Sequence, residues 1–177
     1  MKSDRDKKPR PPLDAERLER LGLYYVGRYA TSRAKLRAYL SRKVRERGWG
    51  GSPPDVEALV ERFRALGYLD DGAFATARAA SLQRRGYGER RVDQALRAAG
   101  IEEGDAAEAR EQVEAGAMAA AMRFAKRKRI GPFAAGEPDR EARQKAFAAM
   151  MRAGHPMDVV RQVLNASAGD IPECDTY

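Results

Sequence analysis

Apolar residues recur at three- and four-residue spacing along almost the whole chain, which predicts helices. Leu36, Leu40 and Val44 make one such stripe, with Tyr39 on the same side. Val56, Leu59, Val60 and Phe63 make the next, and Val92 with Leu96 a shorter one. Met118, Met122 and Ala125, then Phe147, Met150 and Met151, then Val159, Val160, Val163 and Leu164 continue the pattern. No stretch alternates apolar and polar positions long enough to make a strand, and Asp71-Gly72 opens a helical pattern rather than a hairpin. Ala, Leu, Arg and Glu dominate these segments and lose little side-chain freedom in a helix.

The punctuation agrees. Asp14 is placed to cap a helix running to about Ala30, and Ser32 to cap one that stops at Gly48. Ser52 before Pro53 suits the start of a third, because proline fits the first helical position. Asp70 is placed to cap a helix from Phe74 towards Leu82, and Gly86 and Gly88 bracket a tight turn. Helices are then expected to stop at Gly100, to span about Glu103 to Val113, and to resume after Gly116. Gly131, Pro132, Gly136 and Pro138 break the chain before Asp139, which is placed to cap a helix ending at Gly154.

One motif recurs: an apolar residue, three others, Gly, then a ring or bulky residue. It reads Val44 to Gly48-Trp49, Leu96 to Gly100-Ile101 and Met150 to Gly154-His155, with glycines 52 and 54 residues apart. Physically it is a helix closed by a left-handed Gly, after which the next residue folds back as a plug. A second helix opens near an acid after each glycine: Asp55, Asp105 and Asp158. Each unit is therefore about three helices. The expected organisation is a disordered basic arm over 1–12, helical repeats over 13–67, 68–113 and 114–166, and an acidic tail over 167–177.

Composition narrows the function. The 177 residues carry 34 Lys+Arg against 26 Asp+Glu, a net +8, and 26 of the cations are Arg. The single Cys174 leaves no internal disulfide or Cys-rich zinc site, and the single His155 no multi-His metal centre. No apolar run is long enough to span a membrane, and the charged, Pro-rich start is no secretory signal. These features point to a cytoplasmic protein with a polyanionic partner or an acidic protein surface to meet.

The run Gly67-Tyr68-Leu69-Asp70-Asp71-Gly72-Ala73-Phe74-Ala75, then Arg84-Arg85-Gly86-Tyr87-Gly88, then Val92 and Leu96 to Gly100-Ile101, closely resembles the signature of the RecX family of recombination regulators. Ser32 to Leu36, Leu40 and Gly48-Trp49 are similar to that family's first repeat, and the resemblance spans roughly Leu21 to Leu164. His155 stands where the family usually has an aromatic residue such as Phe. The resemblance implies an all-α fold of three tandem three-helix repeats in an elongated, curved array. It implies a protein that binds the RecA recombinase filament on single-stranded DNA. It also implies inhibition, in most members, of the filament's ATPase, strand-exchange and coprotease activities, and so a part in DNA repair and the SOS response. With one His and one Cys the residues themselves leave little to build a catalytic site from, and the expectation is a non-enzymatic monomer without cofactors. The residues by themselves leave open a second reading, a non-specific DNA-binding protein of three-helix modules with direct single- or double-stranded DNA contact.

Three basic clusters are the candidate partner-binding residues. From Arg28 to Arg47 there are eight cations and only Glu46 as an acid, and helical geometry turns Lys35, Arg42 and Arg45 away from the apolar stripe. Arg84, Arg85, Arg90 and Arg91 rim the Gly86-Tyr87-Gly88 loop, which lacks the Lys-Ser/Thr of a phosphate-binding loop. Arg123 and Arg127, with Lys126, Lys128 and Arg129, lie at the end of a helix, where capping explains part of the charge. Asp70-Asp71 reads as a helix start rather than a metal or acid–base pair, Trp49 and His155 as plugs, and the methionines, Met157 included, as core filler.

Overall fold

The computed structural model describes residues 11–166. It is all-α, with nine α-helices among the described residues and one short 3-10 turn at Gly131–Phe133. The chain divides into two compact units, one ending at Asp70 and the other beginning at Asp71. The tail residues 167–177, Cys174 among them, and residues 1–10 of the expected arm lie outside the described residues.

The first unit holds α1 (Ala15–Arg28), α2 (Arg33–Arg47) and α3 (Val56–Ala65). Asp14 caps α1 by accepting from the Arg17 N–H at 2.8 Å, and Ser32 caps α2 by accepting from the Lys35 N–H at 3.3 Å. The third cap differs from expectation. Helix α3 begins at Val56, and it is Asp55, not Ser52, whose carboxylate takes the Ala58 N–H at 2.9 Å. Pro53 therefore precedes the helix instead of opening it. The core joins Leu18 with Leu36 and Leu40 of α2 and with Val60 and Phe63 of α3. Gly22 is needed there, since a Cβ would stand 2.8 Å from a Phe63 ring carbon.

Leu13, at the edge of the expected arm, belongs to that core and is fully buried. Its N–H donates to the Gly48 carbonyl and its carbonyl accepts from the Gly50 N–H, both at 3.0 Å, in a one-residue bridge to Trp49. Pro11 and Pro12 are likewise engaged, their carbonyls accepting from Arg47 and Arg17 at 3.0 Å. The bridge explains why the first glycine stop departs from the other two. Gly48 has φ 76° but an extended ψ of 169°, so the chain leaves α2 straight into the bridge.

The second unit holds α4 (Asp71–Arg84), α5 (Glu89–Ala98), α6 (Ala107–Ala115), α7 (Ala117–Lys128), α8 (Arg140–Arg152) and α9 (Met157–Asn165). Two hydrophobic clusters sit within it. Ala75, Ala79 and Leu82 of α4 pack with Val92 and Leu96 of α5 and with Ala109 and Val113 of α6. Phe124 and Ala125 of α7 pack with Met150 of α8 and with Val160 and Val163 of α9. Alanines let these helix backbones approach closely. The glycine stops take the expected form here. Ile101 N–H returns to the Leu96 carbonyl at 3.1 Å and His155 N–H to the Met150 carbonyl at 3.3 Å, each across a positive-φ Gly. Of the three acids that follow the glycines, Asp55 caps its helix, α3, through its side chain. Helix α6 starts at Ala107, beyond Asp105, and Asp158 lies inside the first turn of α9. Met122 and Met150 are buried as core filler, whereas Met157 is 44% exposed.

Candidate functional site

The basic α2 segment is decided by what α3 brings to it. Arg37 makes a two-pronged ion pair with Glu57, and Arg33 lies 4.0 Å from Glu61. The Glu57 hydrogen bond raises the Arg37 pKa, and a hydrogen bond from Arg64, with Arg33 and Arg37 near, holds the Glu61 carboxyl below its ordinary value. One side of α2 is thus neutralised by carboxylates from the next helix. The run of cations with a single acid describes the segment but not its surroundings in the fold.

The other side of α2 faces α1 across an open groove of about 920 Å³. Lys35, Arg42 and Arg45 are exposed and line it, as the helical geometry predicts. Glu46 lies at the edge, 2.7 Å from Lys43 and 3.5 Å from Arg42. The Lys43 hydrogen bond, helped by Arg42 and Arg45, keeps the Glu46 carboxyl charged to lower pH than usual. Among the described residues, no carboxylate lines the groove itself.

Its other walls are aromatic, a feature that the charge pattern along the chain does not reveal. Tyr24, Tyr25 and Tyr29 come from the last two turns of α1 and its C-cap, and Tyr39 from α2. Tyr25 and Tyr39 stack across the two helices at 4.2 Å and 18°. The signal was present as Tyr25 and Tyr29 at four-residue spacing, but their meeting with Tyr39 needs the α1–α2 packing. Trp49, expected as a plug, is half-buried against the core and donates its ring N–H to the Ser52 carbonyl, outside this groove.

The second cluster lies in the other unit. Arg85 and Arg91 flank the Tyr87 ring, their guanidinium carbons 5.4 and 5.9 Å from its centroid. With Arg78, two turns before Arg85 on α4, they line a shallow groove of about 350 Å³. Arg84 and Arg90 are exposed but do not line it. The Gly86-Tyr87-Gly88 loop is closed to phosphate by protein. The Gly88 and Arg90 N–H groups donate to the Ala153 and Gly154 carbonyls at 3.0 and 3.1 Å. A Cβ on Gly88 would stand 2.5 Å from the Gly154 carbonyl oxygen. The His155 ring sits on the same loop, fully buried, with Nε2 3.2 Å from the Gly86 carbonyl. Burial lowers its pKa, against the opposing pull of that hydrogen bond.

The third cluster divides. Arg123 is exposed on α7. Arg127 donates to the Arg85 carbonyl and lies over the Phe124 ring, so it braces the α4–α5 turn. Arg129 itself adopts the left-handed conformation that ends α7, at φ 55°. Asp71 is buried at the start of α4 with Asp70 just before it, and no group of three or more potential metal ligands occurs among the described residues. No described helix is long and apolar enough to cross a membrane.

The chain is similar to known proteins over most of its length. The family model described as "RecX, second three-helix domain" matches residues 70–109. The regulatory protein RecX of Myxococcus xanthus is 33% identical over 159 residues, covering 85% of each chain. That of Agrobacterium fabrum is 31% identical over 146 residues, covering 80% of this chain and 78% of its own. The crystal structure of RecX from Lactobacillus salivarius superposes with a TM-score of 0.62 over 84% of this chain and 92% of that one; at 14% identity it speaks for the fold alone.

Proposed function

Because the chain belongs to the RecX family of regulatory proteins, we propose that it binds the RecA recombinase filament on single-stranded DNA and inhibits it without chemistry of its own. A ligand that favours one filament state shifts its population, and no turnover by the ligand is required. The reading covers the filament's ATPase, strand-exchange and coprotease activities and treats the chain as a monomer that needs no cofactor.

The observation that supports it is the sorting of charge on α2. Glu61 and Glu57 of α3 meet Arg33 and Arg37 on one side of α2, while on the other Lys35, Arg42 and Arg45 line an open groove in which no carboxylate occurs among the described lining residues, Glu46 lying at its edge. A face of one sign focuses an anionic partner, whether acidic protein surface or DNA phosphate. Arg85 and Arg91 around Tyr87 offer a second patch of the same kind.

The test is to add the purified chain to RecA with single-stranded DNA and ATP. Hydrolysis should fall as the chain is titrated in. Unchanged hydrolysis and unchanged strand exchange would remove the proposal. Tight, salt-sensitive binding to naked duplex, with no gain when filament is offered, would replace it by plain DNA binding.

A further inference from the structure

We propose that the groove between α1 and α2 holds the unstacked bases of single-stranded DNA on its tyrosine faces. The proposal rests on the filament reading only for the source of the strand. The groove itself carries the argument.

Four rings from two helices converge there. The Tyr25–Tyr39 stack forms a floor, and both rings pack against the core of the first unit. Tyr29 leans on Tyr25 at 5.3 Å and 51°. Tyr24 and Tyr29 remain 62% and 50% exposed, so they offer ring surface that the fold does not use. Cations are spread among the rings. Arg42 and Lys43 lie 5.8 Å from the Tyr39 centroid, and Arg28 lies 5.9 Å from that of Tyr29. Lys35 and Arg45 complete the lining.

This combination selects among anions. An acidic protein surface answers the cations but leaves the exposed ring faces in water. A duplex presents phosphates and keeps its base faces stacked inside. A single strand presents both, and alternating cations and aromatic faces are how proteins hold it without reading sequence. Any base has a π-face, so the groove should accept any sequence.

The experiment measures equilibrium binding of the full chain to labelled oligo(dT), to an abasic deoxyribose-phosphate strand of the same length, and to duplex, with no recombinase present. Oligo(dT) should bind about five-fold or more tighter than the abasic strand. Tyr24→Ala and Tyr29→Ala should each remove about five-fold on oligo(dT) and change abasic binding little. Tyr24→Phe and Tyr29→Phe should keep wild-type affinity, because stacking does not need the hydroxyl. Lys35→Gln and Arg45→Gln should weaken both strands alike. Circular dichroism checks that each variant stays helical.

Equal affinity for oligo(dT) and the abasic strand would overturn the proposal, as would full oligo(dT) affinity in the Tyr24→Ala/Tyr29→Ala double variant. Either result alongside intact inhibition of the filament ATPase would remove the groove's role and leave the regulatory reading standing. Base-dependent binding without ATPase inhibition would do the reverse.

Discussion

The buried imidazole of His155 is hydrogen-bonded through Nε2 to the carbonyl of Gly86, a residue 69 positions earlier in the chain. This contact fastens the third glycine stop onto the loop between α4 and α5. Nδ1 has no hydrogen-bond partner, and the Phe124 ring meets the imidazole edge-on at 5.5 Å. The site therefore suits neutral histidine.

Its titration follows. Burial lowers the folded-state pKa of His155, so the unfolded chain, near ~6.5, takes up the proton first. The associated stability is present above about pH 6.5 and is lost as pH falls. Thermal melts at about pH 7.5 and about pH 5 should show a drop in the second unit that is smaller in His155→Phe. An identical pH dependence in the variant would count against a buried neutral histidine.

The close approach of Gly88 to Gly154 makes a second prediction. Gly88 has an ordinary φ of −88°, so the backbone accepts any residue there. An added Cβ would nonetheless meet the Gly154 carbonyl at 2.5 Å. Gly88→Ala should destabilise the second unit by about 1–3 kcal/mol in urea unfolding. Gly27, in α1 with open space around it, should behave oppositely, and Gly27→Ala should gain about 0.5–1 kcal/mol.

Leu13 should be among the costliest truncations of the first unit. It is fully buried, and its backbone bridge ties the residues before α1 to the exit of α2. Leu13→Ala should cost about 2–5 kcal/mol, read from the denaturant midpoint. A cost under about 1 kcal/mol would mean that the segment before α1 contributes little to this core.

The two sides of α2 should separate binding from stability. Lys35→Glu, Arg42→Glu and Arg45→Glu together should abolish inhibition of the filament ATPase while circular dichroism stays unchanged. Arg37→Ala, on the side held by Glu57, should leave inhibition intact and cost no more than about 1 kcal/mol, the usual worth of an exposed ion pair. Inhibition that survives the triple reversal would take the α2 groove out of the filament contact.

Helices, most of their ends and the all-α class were legible in the order of residues alone. Apolar spacing of three and four, the carboxylate of Asp14, the hydroxyl of Ser32 and the turns at Gly100 and Gly154 act within a few residues of themselves. Local chemistry is written locally, so it can be read there. The resemblance in the Gly67 to Ala75 block added the family. What the cations are for was not legible, because charge is settled by neighbours in space. Glu57 and Glu61 reach Arg37 and Arg33 from another helix, so one side of a nearly all-positive segment meets the carboxylates of α3 and the other lines the groove. The tyrosine groove, the Leu13 bridge and the His155–Gly86 contact arose the same way. Each joins residues that no helical period relates, so only the packing of one helix against another could bring them together.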